Sequence, residues 1–485
     1  MAYSCAYWRR PWGRYTRPTA AWMCLIVVLG MTVALPTTAT AAAVDCTENE
    51  ITCENQLAGT PESVWNIDGA GDESIQGFAT QMSVPRGQTV NFKIKTDAAA
   101  YRIEVYRLGY YQGNGARKVA DVTPSATLPQ SQPACATDPA TEIYDCGTWS
   151  VSASWAVPST AVSGVYIARL IRADTDGTSH VPFVVRNDAA AGKVMFQTSD
   201  TTWQAYNSYG GSSLYRGLVN GRAYKLSYNR PFATRGGVEK RDFLFANEYP
   251  MIRFLESNGY DMTYISGLDT DVRGQQILAQ KAFLSVGHDE YWSAGQRTNV
   301  EAARNAGVNL AFFSGNEIYW KIRWEPSQDG SNTPNRTMVS YKDTFSNTVL
   351  DPQGPTGTWR DPRFQTATPE NALTGTAYKS NFTDLPITVS AEEGRLRLWR
   401  NTPLADQADG TSTELAPHTV GYESDEDLDN GYRPAGLIRL STTTGPSPEY
   451  LQDFGTKVAA GTTTHHLTMY RADSGALVYN GRGGA

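Results

Sequence analysis

Gly287-His288-Asp289-Glu290-Tyr291-Trp292 is the densest run of reactive side chains in this 485-residue sequence. His288 and Glu290 stand two apart, so in extended backbone they point to one side. An imidazole beside a carboxylate suits either metal binding or acid–base work. The same spacing also fits a helix start, where Asp289 and Glu290 merely offset the helix dipole. Upstream, Thr198-Ser199-Asp200-Thr201-Thr202-Trp203-Gln204-Ala205-Tyr206-Asn207-Ser208-Tyr209 adds two tyrosines. As phenolates, Tyr206 and Tyr209 would be hard anionic ligands suited to ferric iron; as phenols on an aromatic-rich loop they would be packing groups. Two further polar runs are Ser314-Gly315-Asn316-Glu317 and Glu423-Ser424-Asp425-Glu426. His465-His466 has the composition of a metal pair, but strand neighbours face opposite ways. No Gly-x-Ser-x-Gly elbow occurs, and the last cysteine is Cys146. Serine or cysteine hydrolysis on the usual plan is therefore disfavoured.

Each of these runs follows a short apolar segment. The segments are Lys193–Gln197, Ala282–Val286, Val308–Phe313 and Thr419–Tyr422. Apolar residues at helical spacing between Asp242 and Asn258, and a second helix over Arg297–Asn305, separate them. Met262–Ile265 is another strand candidate. That alternation predicts a parallel sheet with helices on its faces over 191–485, and ligands of such sheets sit at the carboxyl ends of the strands. A polar insertion at about 325–375 interrupts the pattern, and β-like runs return at Arg395–Arg400, Thr419–Glu423 and Ala476–Tyr479. Residues 44–190 read differently. Thr89–Lys95, Tyr101–Arg107, Gly164–Leu170 and Val181–Val185 alternate apolar and polar residues between Gly- and Pro-rich turns, which predicts an antiparallel sandwich. The expected fold class is therefore multidomain: an all-β sandwich followed by an α/β domain with a mostly parallel sheet.

Residues 1–43 have the order of a cleaved export signal. Arg9, Arg10, Arg14 and Arg17 precede an apolar run from Ala20 to Leu35, and Ala39-Thr40-Ala41-Ala42-Ala43 offers Ala-x-Ala cleavage. Arg9-Arg10 hints at the twin-arginine route. Cleavage would remove four of the 42 basic residues and none of the 49 acids, leaving a net charge of about −11. So acidic a chain is a poor partner for nucleic acid or anionic lipid, and no later stretch is long enough to span a membrane. Cys46, Cys53, Cys135 and Cys146 remain, all in the β part. Near-neighbour disulfides, Cys46–Cys53 and Cys135–Cys146, are the simplest of the three pairings, and their spacings fit no zinc pattern.

Taken together, Trp203-Gln204-Ala205-Tyr206-Asn207, Gly287–Trp292, Phe313-Ser314-Gly315-Asn316 and Gly421–Glu426 resemble the large (β) subunit of N,N-dimethylformamidase, and more closely its secreted actinobacterial-type relatives. Gly77-Phe78-Ala79-Thr80, Tyr106-Arg107-Leu108-Gly109-Tyr110-Tyr111 and Asn430-Gly431-Tyr432-Arg433-Pro434-Ala435-Gly436 also match those relatives. The resemblance implies a glutamine-amidotransferase-like α/β domain and a mononuclear Fe3+ site, made by two tyrosines and one glutamate, that hydrolyses a tertiary amide. Carried over position by position, Glu290 matches the glutamate ligand and Tyr206 one tyrosine. Tyr209 and Tyr228 both stand open as the second, with Tyr209 expected as the ligand and Tyr228 as a pocket residue. Glu423, His288 and Asn316 match catalytic positions, and Trp292 matches a pocket position. Relatives usually continue past Gly475–Ala485 into a Gly-rich turn and a Trp-containing helix, so a last sheet-flanking element is expected to be missing.

The first expectation is thus an exported, metal-dependent hydrolase of small-molecule or polymer amides, secreted or at the cell surface. Zn2+ on His288 and Glu290 is the alternative metal. A non-catalytic exported glycan- or polymer-binding protein is the competing class, and it would not need Tyr206, Glu290 and His288 to converge. Export argues against simple small-amide catabolism. A homo-oligomer is left open.

Overall fold

The computed structural model describes residues 46–481 apart from 347, 365 and 366. The expected leader at 1–43, with Cys5 and Cys24, lies outside the described residues. The chain is β-rich, with several sheets and few helices.

In the amino-terminal part the two-residue period becomes burial. Thr89–Thr96 buries Val90, Phe92 and Ile94 and turns Asn91, Lys93 and Lys95 toward the surface. It pairs antiparallel with Ile75–Ala79 and Ala153–Ala156. A five-stranded sheet, ordered Ser83–Pro85, Thr178–Arg186, Gly164–Arg172, Tyr101–Leu108, Ala116–Val122, shares its core. Phe92, Trp155, Tyr166 and Phe183 meet there with ring centroids 5.7–6.1 Å apart, none in a face-to-face sandwich; tilted and edge-on rings are the favoured pairings. Both disulfides join near neighbours, Cys46–Cys53 and Cys135–Cys146. The second closes a loop that contains the small hairpin Ala136–Asp138/Ile143–Asp145.

Farther along, a seven-stranded sheet runs in the order Met262–Ser266, Val194–Thr198, Ala282–Gly287, Asn309–Ser314, Leu477–Asn480, Thr468–Arg471, Ile438–Arg439. The first five are parallel and the last two antiparallel. Ala294–Asn305 connects two of the parallel strands, capped by the Ser293 hydroxyl. The helix expected over 242–258 is divided into Leu244–Asn247 and Tyr249–Ser257, preceded by a 3-10 turn at Gly237–Asp242. Pro250 has no N–H to give the preceding turn, so it can only stand at a helix start. Arg395–Arg400 is likewise not a strand. Ser390 and Glu393 form a capping box that starts the turn Ala391–Gly394, and a 3-10 turn follows at Arg397–Trp399.

The insertion at 325–375 is more ordered than its polar composition suggested, because Thr337–Val339 pairs with both Lys225–Ser227 and Trp320–Glu325. Beyond it, Ala377–Leu385, Val420–Glu426, Val458–His465 and Thr443–Leu451 form a closed barrel, which leaves no free edge. A buried ion pair ties the sandwich to the helix Tyr249–Ser257: Arg107 meets Glu256 at 2.7 and 3.0 Å. Among the described residues, no helix is long and apolar enough to cross a membrane.

Candidate active site

Three neighbouring parallel strands, Val194–Thr198, Ala282–Gly287 and Asn309–Ser314, end on one side of the sheet, and each hands the chain to a run of polar residues. Gly287 makes the sharpest exit. Its φ is +92°, and a Cβ there would lie 2.5 Å from Cβ of Asn247. Gly287→Ala is therefore expected to destabilise the chain by about 1–3 kcal/mol, read as a lower urea midpoint. An unchanged midpoint would show that the turn tolerates a side chain.

After this turn Glu290 lines a cleft and His288 lies buried behind it, against Glu290 and Glu423, while Asp289 points into the core. There it accepts from Gln197 Nε2 at 2.6 Å and Ser285 Oγ at 2.7 Å, and burial pushes its carboxyl up to about 7. Glu290 gathers the site. Its carboxylate accepts Tyr206 Oη at 3.1 Å, Tyr215 Oη at 2.8 and 2.9 Å, and Asn316 Nδ2 at 3.2 Å. Tyr206 is the last residue of the helix Asp200–Tyr206, which starts at the end of its strand. Its ring stacks on Tyr215 with centroids 4.3 Å apart. Tyr291 Oη donates to Tyr215 Oη at 2.6 Å, and Lys342 Nζ stands 3.6 Å from the Tyr215 ring centroid.

Burial and then Glu290 hold both phenols well above their usual 10. Tyr215 as a whole is 42% exposed, so for it the direction rests on the hydroxyl being set against Glu290. Burial brings the Lys342 ammonium down to about 7.

His288 is clamped between acids. Its Nδ1 is 2.8 Å from Asp242 Oδ1, and its Nε2 is 2.9 Å from Glu423 Oε2 and 3.5 Å from Glu290 Oε2. Burial alone would push the ring toward neutrality, but the carboxylates, Glu423 foremost, outweigh it and raise it well above 6.5. Glu423 arrives from the barrel strand Val420–Glu426. Asn316 Nδ2 bridges it at 3.1 Å to Glu290. Asn316 itself sits at φ +53°, a conformation asparagine tolerates, and its N–H is held by Asp425 at 2.9 Å. Tyr206, Tyr215, Glu290, Asn316, Lys342 and Glu423 line a cleft of about 590 Å³, to which Asp242, Arg241 and Tyr422 also contribute.

Of the residues expected from the sequence, Tyr206, His288, Glu290, Asn316 and Glu423 come together. Tyr209 does not. It packs edge-on against Tyr144 at 6.0 Å, and its carbonyl receives Arg230, because the chain turns away after the helix ends at Tyr206. Tyr228 lies aside too, its hydroxyl 2.9 Å from the buried Asp200. Trp292 is fully buried among core residues near Phe312 and does not line the cleft. The second tyrosine of the cluster is Tyr215, which the sequence expectation lacks, as it lacks Asp242 and Lys342. Tyr215 stands in a Gly- and Ser-rich stretch with no period; its one signal is a bulky aromatic and Leu214 amid small residues.

Among the described residues, no three His, Cys, Asp or Glu side chains are grouped to hold a metal ion, so any metal here depends on the tyrosines. Tyr206, Tyr215 and Glu290 fit ferric iron. Deprotonated, they are three hard anionic oxygen donors already gathered around one point, and Asn316 Oδ1 is buried beside them with no hydrogen-bond partner. Zinc on His288 and Glu290 would have to compete with Asp242 and Glu423, which face the two imidazole nitrogens at 2.8 and 2.9 Å.

A family model described as "N,N-dimethylformamidase beta subunit-like, C-terminal" matches residues 102–483. No curated protein matches the chain. One solved structure with similarity is domain 1 of VCBP3 from Branchiostoma floridae, 9% identical over 24% of this chain and 98% of that one; its TM-score of 0.15 carries no argument.

Proposed function

The chain belongs to the N,N-dimethylformamidase beta subunit-like, C-terminal family, and from that premise we propose that its cleft hydrolyses an amide C–N bond. The observation that carries this reading is the convergence of Tyr206 and Tyr215 on Glu290, beside a His288–Glu423 pair. In it, Tyr206, Tyr215 and Glu290 hold Fe3+. When bound, such an ion polarises the substrate carbonyl and acidifies water.

The chain's own groups carry the protons. Glu423 takes a proton from the attacking water as its oxygen bonds to the carbonyl carbon. His288, kept charged by Glu423 first and by Asp242, gives its Nε2 proton to the nitrogen as the C–N bond breaks, so that an acid and an amine result. Asn316 keeps the carboxylates of Glu290 and Glu423 in register. The glutamine-amidotransferase likeness belongs to the same proposal: helix-linked parallel strands with the site at their carboxyl ends support it.

The cleft's size falls within the range of about 300–1,000 Å³ usual for drug-sized ligands. A substrate larger than a one-carbon amide is therefore favoured. Two disulfides support export. The test is elemental analysis of the full chain expressed with iron supplied, together with its visible absorption. One iron per chain and a tyrosinate-to-iron charge-transfer band, shifted in Tyr215→Phe, are expected. Iron-free protein, or a band indifferent to Tyr215, would overturn the metal reading.

A further inference from the structure

Tyr215 lies in a stretch with little structure of its own. No helix or strand is described between Tyr206 and Lys225, and Leu218 and Val219 are 76% and 73% exposed. Leu214 is buried in the core and its N–H donates to the carbonyl of Ala205 at 3.0 Å; the rest of the stretch is held largely by a carboxylate from the other part of the chain. Glu142 forms the tip of the hairpin Ala136–Asp138/Ile143–Asp145, in a left-handed conformation with φ +56°. One of its oxygens accepts Ser212 Oγ at 2.6 Å and the Leu218 N–H at 2.5 Å. The other accepts the Val219 N–H at 2.8 Å and the Asn220 N–H.

The grip is returned from both ends. Asn220 Nδ2 donates to the carbonyls of Ala140 and Pro139 at 3.1 and 3.3 Å, and the Tyr224 N–H donates to the carbonyl of Thr141 at 2.9 Å. Tyr215 thus stands on a short bridge whose two abutments, Ser212 and Leu218–Asn220, are fastened to one anion. The hairpin that presents the anion is only three residues per strand and is closed at its base by Cys135–Cys146. Cys46–Cys53 closes a different loop.

We infer that Glu142 is the positioning residue for Tyr215, and that Cys135–Cys146, by closing the hairpin that presents it, makes this side of the site depend on an oxidising surrounding. The inference rests on the proposed metal reading for its consequence but not for its geometry. A dithiol reductant would be oxidised to its own disulfide as Cys135–Cys146 becomes two thiols, and the bridge would then lose its anchor.

The full chain, expressed with iron supplied, is compared with Glu142→Ala, Glu142→Gln, the pair Cys135→Ser/Cys146→Ser and the control pair Cys46→Ser/Cys53→Ser. Amide exchange at 212–220, bound iron and the charge-transfer band are measured, with overall melting as the check on folding. In Glu142→Ala and the Cys135/Cys146 pair, exchange is expected to rise at least tenfold and iron to fall in step, with little change in melting. Glu142→Gln, which keeps one carbonyl oxygen and the side-chain shape, should lie between and serves if alanine prevents folding. The control pair should match the wild type. Unchanged exchange, or faster exchange with a full iron load and an unmoved band, would overturn the inference. An iron-free wild type would defeat the metal reading alone, and the exchange arm would then decide this one.

Discussion

Glutamine in place of Glu423 is expected to lower kcat by roughly 10²–10⁴-fold, the usual worth of a positioned acid–base group. The substitution keeps shape and removes charge. Asn316 Nδ2 can still donate to the side-chain carbonyl, which now lies 3.1 Å away as Oε1. Lost are the proton acceptor for water and the anion 2.9 Å from His288 Nε2. Because Glu423 is the largest of the charges that keep His288 protonated, the same change weakens the acid on the other side of the reaction. KM and iron content should move little, since Glu423 is not among the oxygens gathered by the tyrosines. Steady-state kinetics on a panel of N-acyl anilides, with iron measured in the same preparations, would check this. Wild-type kcat in Glu423→Gln, on any amide the protein cleaves, would remove Glu423 from the chemistry.

A second large effect concerns stability. Glu256→Ala should cost about 3–5 kcal/mol, the range for breaking a buried pair by removing one partner. Arg107 and Glu256 side chains are both fully buried. Glu256 also accepts Tyr264 Oη at 2.7 Å and Asn55 Nδ2 at 2.8 Å, so the truncation strands three donors at once. Arg107 would keep its bonds to the Ser163 and Leu108 carbonyls, but these bring no opposite charge. A urea titration followed by tryptophan fluorescence gives the midpoint. Arg107→Met/Glu256→Leu should recover much of the loss, because an apolar pair leaves no charge to desolvate. A loss below about 1 kcal/mol in the single variant, as for an exposed pair, would mean that water reaches this contact.

Much of the architecture was legible because its strands are short, apolar and punctuated. Val194–Thr198, Ala282–Gly287 and Asn309–Ser314 lie within a residue or two of their expected bounds. His288 and Glu290 come together as their two-residue spacing suggested, with His288 Nε2 3.5 Å from Glu290 Oε2. The second tyrosine was not legible for a physical reason: the backbone on either side of Tyr215 is held by Glu142, more than seventy residues upstream, and no local period records such a contact. Tyr209 was closer in sequence to Tyr206 but is carried off by the turn that follows the helix. Trp292 sits two residues beyond Glu290, where unbroken alternation would put it on the same side, yet it is buried in the core. The barrel was not legible because Thr443–Leu451 is mostly polar or Gly and Pro, and Val458–His465 is largely exposed, so hydrophobic alternation is weak in both.

The place of Leu477–Asn480 in the seven-stranded sheet has a consequence for timing. The strand fills an interior position, beside Asn309–Ser314, yet it is translated far later. At about 5–20 residues per second, Asn309–Ser314 waits on the order of ten to thirty seconds with one edge unpaired. An open apolar edge is a template for wrong partners. The sheet therefore closes only after Leu477–Asn480 has been made, and its long-range pairing belongs to the slow class of folding steps. Whatever shields that edge in the interval, whether a holding chaperone or the passing intermediate segments, governs how much of the chain reaches its native state.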